Sequence, residues 1–488
     1  MANLSQGLSL ATPAQAEADL AARLTAQSPR RTPPPTPWAS TAIHGAVLVL
    51  WIALLGAPFG LHGVWVWSAG LVYVAYDTLL LVFTFWQTLP LLKTTPPSAA
   101  VSRRVSVAVI VAAKDEALVL PVTLKALLGQ SDPPDRILIA DDGSADATPE
   151  VLARLYGLEP PPLGEMSTRH PQIHWLRLGG GGKARAMNTA LSLIAEEVVL
   201  TVDADTLLQP GAIAAVRDAF SAEADLVATT GVLTPVCAAT TSGRIMEWFQ
   251  TYEYIRNFLA RYAWMRLDSL LLISGAFAGF RRAAALEVGG FDPDCLVEDY
   301  ELIHRLKRYS VRHGRRWTTR VLGGALARTE APSTTLAFLR QRRRWFGGFL
   351  QTQYWYRDMV GDRRYGALGL AMLPVKAVDT LQPLYGLTAF VLLCSYVVRG
   401  RLTILEPVGG VIAAKILIDF SFQLWAIHLY RCWVGDRRIA SFGHALVASI
   451  IEPFSFQLLR HLGAAWGWVV FLRGRQTWGS QQRAGALR

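Results

Sequence analysis

The stretch VVLTVDADTLLQP, residues 198–210, decides how the chain around it folds. Val198 to Val202 is apolar except for Thr201, the pattern of a strand buried on both faces. The strand then stops at two carboxylates, Asp203 and Asp205, with Ala204 between them. Neighbouring acids repel each other and resist burial. They belong either to a solvated turn or around something positive. Working outward, VSVAVIVAA (105–113), RILIA (136–140) and IHWLRL (173–178) read as further strands. Between them lie the helical stretches EALVLPVTLKALLGQ, TPEVLARLYG and KARAMNTALSLIAEE. Near-continuous apolar strands separated by helices predict an α/β domain with a parallel sheet covered on both faces.

Acids gather at the ends of these strands. The first runs into Lys114-Asp115-Glu116, the second into DDGS (Asp141 to Ser144), and the 198–202 strand into DAD. Open α/β sheets bind ligands outside the carboxyl ends of their strands. Asp and Ser are also ordinary turn and N-cap residues, so DDGS has a purely structural reading beside the functional one. Asp203 and Asp205 point further. Two carboxylates so close are compatible when they share a cation, and hard cations such as Mg²⁺ or Mn²⁺ take oxygen ligands, completing a sparse shell with phosphate.

HWLRLGGGGKARAMN (174–188) fits a phosphate ligand, because Gly179 to Gly182 lead into Lys183 and a helix start. It lacks the Walker A spacing, and a flexible loop with a solvated lysine is the alternative. In CLVEDYELIHRLKR (295–308), Glu298 and Asp299 sit where acids complement a helix dipole; the functional reading makes one of them a general base. In QRRRW (341–345) the arginines and Trp345 are either interfacial anchors or ligand groups, with Arg344 on a diphosphate and Trp345 on a sugar ring.

The whole chain has 488 residues, 52 % hydrophobic and only 17 % charged, with 16 tryptophans. That composition indicates a membrane protein of more than one folded unit. The net charge of +11 suits basic cytoplasmic loops or a phosphorylated ligand. Nucleic acid is not expected, since the arginines flank apolar segments. Cys237, Cys295, Cys394 and Cys432 form no CxxC pair and indicate neither zinc nor a disulfide framework.

Residues 1–40, ending in RRTPPPTP, read as a disordered tail and not as a signal peptide. Residues 41–88 read as a transmembrane hairpin, with spans from Thr41 to Leu61 and from Val64 to Trp86. Arg30 and Arg31 before it predict a cytoplasmic N-terminus. The soluble domain then occupies 100–332, interfacial helices with QRRRW occupy 333–360, and a second membrane region of three or four spans occupies 365–473, before a tail at 474–488. Lys376, Asp379, Gln382, Lys415, Asp419 and Glu452 are costly inside a bilayer and are read as lining a polymer channel, or as residues snorkelling from helix ends.

Taken in order, DDGS, DAD, ED and Q-x-x-R-W resemble the membrane-embedded synthases of glycosyltransferase family 2. Cellulose, hyaluronan, chitin and poly-β-1,6-N-acetylglucosamine synthases share that series, the last being closest in look. Further echoes are GKARAMNTAL (182–191), ISGAFAGFRRAAALEVGGF (273–291), TEAP (329–332) and QRRRWFGGFLQT (341–352). The resemblance covers residues 105–356 and implies a GT-A (Rossmann-like) glycosyltransferase domain inserted between transmembrane helices.

It further implies that Asp141 and Asp142 lie near the nucleotide's base and ribose, and that Lys183 touches the nucleotide. Asp203 and Asp205 would form the Mg²⁺ or Mn²⁺ and diphosphate site. Asp299, beside Glu298, would be the base. Gln341, Arg344 and Trp345 would form the gate between diphosphate and acceptor. Glu116 is carried over on weaker ground, because AAKDEA has Asp115 where relatives often have Asn. The implied reaction is inverting transfer from a UDP-linked sugar to a growing β-linked polysaccharide, coupled to export through a bacterial inner membrane, with the possibility of an accessory subunit. The alternative is non-processive transfer of one sugar to a lipid, as in ceramide glucosyltransferases, which also carry Q-x-x-R-W.

Overall fold

A computed structural model describes residues 13–93, 103–158, 165–435 and 440–474. The α/β domain is built on a nine-stranded sheet. Its strands are β1 (Val107–Ala113), β2 (Arg136–Asp141), β3 (Glu165–Met166), β4 (Ile173–Arg177), β5 (Val198–Asp203), β6 (Thr206–Leu208), β7 (Leu226–Val236), β8 (Phe277–Arg281) and β9 (Thr318–Glu330). Their order is β3-β4-β2-β1-β5-β8-β7-β9-β6.

The expected parallel sheet is half of this. β4, β2, β1 and β5 are parallel. β8 then runs antiparallel to β5 and to β7, β9 is parallel to β7, and β6 is antiparallel to β9. The sheet is therefore mixed, which corrects the all-parallel expectation. The antiparallel half was hidden because β8 (FAGFR) is short and β9 alternates buried and more open positions, unlike the solid apolar runs of the first half.

Register sets the functional rim. Ala113 pairs with Asp141 across β1 and β2, and Ala112 with Asp203 across β1 and β5. The three strands end level, so Lys114–Glu116, DDGS and DAD leave the sheet along one edge. The core beneath is dry: Val107 to Val111 are fully buried, as are Ile137, Ile139, Leu200 and Trp175.

The N-terminal tail departs from expectation. Residues 1–12 lie outside the described residues, but Pro13–Gln27 is a helix. Leu20 and Leu24 are buried, and the helix packs on the Lys183–Leu193 helix. Beyond it, Arg30 donates to Asp292 at 2.9 Å and to Asp294 at 2.9 Å. The Ala-rich composition suggested disorder, yet PAQAEADLAARLTAQ places its two leucines one turn apart, and a docking surface supplies the stability such a helix lacks alone.

Among the described residues, four helices are long and apolar enough to cross a membrane: Trp38–Gly60, Gly63–Leu92, Leu368–Val398 and Thr403–Val434. A further pair, Phe442–Phe454 and Phe456–Leu472, is bent by 44° and makes a fifth if taken as one span. The break falls at Ser455, directly after a short turn, Glu452–Phe454, in which Pro453 removes a helical hydrogen-bond donor. The expected tail at 474–488 lies outside the described residues beyond Gly474. The Thr335–Trp355 helix, bearing QRRRW, lies along Phe456–Leu472 and couples the α/β domain to the membrane region.

One buried cation ties the sheet's far end together. Arg217 is 2 % exposed and donates to Asp132, Asp135 and the Val105 carbonyl, each at 2.7 Å, and to the Pro133 carbonyl at 2.8 Å. Arg217→Met should lower stability by about 2–4 kcal/mol, because it orphans buried carbonyls while the carboxylates retain some access to water. Thermal unfolding of the detergent-solubilised protein checks this, with a lower midpoint as the expected result.

Candidate active site

The rim is organised by backbone before any side chain acts. Gly180, Gly181 and Gly182 all have positive φ (89°, 151° and 97°), a path that side chains with a Cβ rarely follow. The Gly182 N–H donates to both carboxylate oxygens of Asp142, at 3.0 and 3.1 Å. DDGS thus positions the glycine loop, which in turn delivers Lys183 as the first residue of its helix.

Lys183 is the hub. Its Nζ donates to Asp203 Oδ1 at 2.5 Å and lies 4.0 Å from Glu298 Oε1. Burial works against its charge, but Asp203, Glu298 and Asp299 outweigh that and raise its pKa. Burial pushes the Glu298 carboxyl up to about 7, with Asp299 adding and Lys183 and Arg344 opposing. Asp205 rises to about 8, through burial first and then the negative charges of Asp203 and Glu330. Asp299 is held by two backbone donors, the Gly275 N–H at 2.6 Å and the Tyr300 N–H at 2.8 Å.

Residues far apart in sequence therefore share one cleft: Lys183, Asp203, Asp205, Glu298, Asp299 and Arg344. Arg344 arrives because the helix carrying it packs tightly beside Glu298. A Cβ on Gly348 would lie 2.4 Å from a Val297 methyl, so no larger residue fits there. Arg344 Nη1 donates to the Leu296 carbonyl at 3.1 Å. The rest of QRRRW diverges. Arg342 donates to Glu253 at 2.7 Å and covers one face of the Trp345 ring at 4.5 Å. Gln341 Oε1 is buried without a hydrogen-bond partner among the described residues.

Other sequence candidates take quieter positions. Asp141 is fully buried and accepts from the Ser144 N–H, the Ser144 hydroxyl and Trp175 Nε1, at 2.8, 2.7 and 3.3 Å. Asp142 also meets Lys114 at 3.2 Å. Glu116 is buried, and its backbone N–H donates to the Thr148 hydroxyl at 3.0 Å. Asp203, expected at the metal and diphosphate site, is engaged by Lys183. Sequence reasoning named neither Glu330 nor Gly275 as site residues. Both stand inside quoted stretches, TEAP and ISGAFAGF, but nothing in their local pattern tells that they meet Asp205 and Asp299.

The donor set suits a hard cation. Asp203, Asp205 and Glu330 set three carboxylates against Lys183, all oxygen donors with negative charge in excess around buried Asp205. Among the described residues no cluster of three or more His, Cys, Asp or Glu side chains forms a ready-made cage. A cation here would draw the rest of its shell from ligand phosphates.

The sheet and its rim have the GT-A fold. Residues 198–405 match the family model described as Glycosyl transferase family group 2. The chain is 27 % identical over 325 residues to a beta-monoglucosyldiacylglycerol synthase of Trichormus variabilis, covering 62 % of this chain and 61 % of the relative. It is 27 % identical over 244 residues to a poly-beta-1,6-N-acetyl-D-glucosamine synthase of Staphylococcus epidermidis, covering 49 % of this chain and 53 % of the relative. The matches to the glucosyldiacylglycerol synthases span 58–62 % of those proteins' own length. Among solved structures, the mannosyltransferase PcManGT of Pyrobaculum calidifontis, in complex with GDP-Man and Mn²⁺, superposes with a TM-score of 0.51 at 19 % identity, over 85 % of this chain and 99 % of that one.

The Gly275 contact gives a test of geometry. A Cβ there would stand 3.0 Å from Asp299 Oδ2 and 3.2 Å from its Cβ. Gly275→Ala should displace the carboxylate and lower turnover roughly 100-fold, the scale of a small misplacement at a reacting centre. Steady-state kinetics should show kcat falling while the donor KM changes little.

Proposed function

We propose that the protein transfers a sugar, with inversion, from a nucleotide-diphosphate sugar to a hydroxyl acceptor presented at the membrane. The observation that carries this is Lys183, 2.5 Å from Asp203 and 4.0 Å from Glu298, which draws the DAD turn, the glycine loop and the ED pair into one cleft. In this reading Asp299 takes the acceptor proton as the hydroxyl oxygen bonds to the anomeric carbon and the bond to the diphosphate breaks. Its two backbone hydrogen bonds fix the carboxylate for that role. Lys183 and Arg344 face the charge that grows on the departing diphosphate. Asp205, with Asp203 and Glu330 beside it, would hold Mg²⁺ or Mn²⁺, which supplies further positive charge at that point. The Mn²⁺ named with PcManGT supports the metal assignment. Asp141, Asp142 and Glu116 frame the nucleotide end, and Gln341 and Trp345 the acceptor side. The resemblance favours a UDP-linked donor, and a panel of nucleotide sugars tests that.

A lipid acceptor is the better fit to the membrane region. The charges that suggested a channel are neutralised within the protein. Lys376 meets Asp379 at 2.7 Å, Lys415 meets Asp77 at 2.7 Å and also Asp419, and Glu452 pairs with Arg256. The similarity to beta-monoglucosyldiacylglycerol synthases agrees with a lipid. Polysaccharide extension with export is the second reading. It is favoured by a cavity of about 150 Å³ among the candidate spans, lined by Tyr73, Asp77, Lys415, Gln457 and His461. Placement in a bacterial inner membrane with the α/β domain in the cytoplasm is part of the proposal and rests on Arg30 and Arg31 before the first span.

Membranes incubated with labelled nucleotide sugars separate the two readings: label in extractable lipid supports the first, label in polymer the second. Asp299→Asn should reduce transfer by roughly 10²–10⁴-fold while donor binding persists. Donor affinity measured calorimetrically alongside activity checks it, and wild-type activity would remove Asp299 from the role. Asp205→Ala should abolish transfer and weaken Mn²⁺ binding measured directly; metal binding equal to that of the wild type would place the cation elsewhere.

A further inference from the structure

The Thr241–Met265 helix carries an arginine that nothing above uses. Arg261 Nε and Nη1 are shielded from solvent and find no hydrogen-bond partner among the described residues. The guanidinium lies over the Phe258 ring, 4.3 Å from its centroid. Other arginines around the cleft each have at least one protein partner: Arg342 has Glu253, Arg256 has Glu452, and Arg344 has the Leu296 carbonyl. Two shielded guanidinium nitrogens without a partner are costly unless a ligand completes them.

Its surroundings say which ligand. Tyr254, Phe258 and Arg261 fall on one face of the helix, at spacings of four and three residues. Arg261 lies within electrostatic reach of Asp299 and Tyr254, and Tyr254 in turn feels Arg342 and Glu253. The guanidinium therefore shares the surroundings of Asp299, the carboxylate proposed to take the acceptor proton. Burial lowers its pKa to about 10, against the opposing fields of Tyr254 and Asp299, which shows how little counter-charge it has. It nonetheless stays protonated at neutral pH.

The same helix meets the membrane region beside this residue. Trp264 packs on Phe83 with ring centroids 4.5 Å apart, and Tyr262 on Trp433 at 5.4 Å. Trp433 ends the 403–434 span and lies against β9, where a Cβ on Gly323 would come within 2.2 Å of its indole nitrogen. This level is the junction between the spans and the α/β domain. Clustered Trp and Tyr mark the bilayer interface, where lipid phosphates lie.

We propose that Arg261 binds the phosphate of an anionic phospholipid acceptor whose free hydroxyl, a few bonds away, is the group glycosylated. This deepens the proposed function and rests on it. The hydroxyl oxygen bonds to the anomeric carbon, its proton passes to Asp299, and the nucleoside diphosphate leaves with the electrons of the broken bond. Arg261 stays bound to the phosphodiester throughout, so it sets acceptor choice and takes no part in the bond changes. The guanidinium fork suits two phosphate oxygens, which a lysine cannot match.

The test uses the full-length protein, wild type, Arg261→Met and Arg261→Lys, with a nucleotide-sugar donor. Acceptors are vesicles of phosphatidylglycerol, or of phosphatidylcholine with diacylglycerol as the neutral hydroxyl lipid. Arg261→Met should lower kcat/KM for phosphatidylglycerol by roughly 30-fold or more, and Arg261→Lys by less, while transfer to diacylglycerol changes little. Donor KM, taken from hydrolysis without acceptor, should not move. The thermal midpoint of Arg261→Met without ligand should equal or exceed that of the wild type, because no partner is lost. The proposal is overturned by a raised donor KM, which would put Arg261 on the diphosphate. Equal losses with both lipids, a several-degree fall in the midpoint, or label passing only into polymer would overturn it too. Wild-type protein that neither hydrolyses nor transfers any nucleotide sugar refutes the underlying reading. Wild-type hydrolysis with an unchanged Arg261→Met profile refutes this inference alone.

Discussion

The short contact between Lys183 and Asp203 is the constraint on which the site depends. Without a cation at that point, Asp203, Asp205, Glu298 and Glu330 would bring several carboxylates to one small, partly dry volume, and the cleft would open by repulsion. With it, the loop that delivers the lysine must follow the sheet edge closely, which explains the run of glycines ahead of it. The opposition of charges also leaves the cleft poised. Lys183 neutralises part of the acidic group, and the remainder is what a metal-bound diphosphate can satisfy.

The same logic of matched charge extends through the protein toward the membrane. Arg342, Glu253, Arg460 and Glu452 form a relay of opposite signs from the QRRRW helix to the bend in the last helix pair. Ion pairs in a poorly solvated setting add little net stability but do fix geometry, since breaking one leaves a stranded charge. Here they hold the helix that presents Arg344 at a set height above the spans. Arg261 stands outside this relay, and two of its guanidinium nitrogens are shielded without a partner among the described residues.

Much of this was legible in the sequence. The solid apolar runs before KDE, DDGS and DAD gave the parallel half of the sheet, because two-sided burial leaves few alternatives to a central strand. Acids at three strand ends pointed to one rim, and strand register brought them level. The antiparallel half was not legible: β8 has five residues, and β9 alternates like a surface strand although it lies inside the sheet order. The helix at Pro13–Gln27 escaped because its stability comes from the surface it covers. Arg261 and Glu330 could not be found locally, since their significance is tertiary. The pairing of Asp203 with Lys183 likewise joins positions 20 residues apart with no spacing rule between them.

The N-terminal helix has a mechanical consequence. It grips the α/β domain through Leu20, Leu24 and the Arg30 contacts, and a few residues later the chain enters the first apolar helix at Trp38. The domain is thus moored to the bilayer on a second side, in addition to its attachment through residues 333–360. A body tethered at two separate points cannot swivel freely about either, so the mouth of the cleft keeps one height and one tilt over the lipid surface. The lipid acceptor proposed above would then arrive by lateral diffusion alone, and its reactive end would meet the cleft without the domain having to search for it.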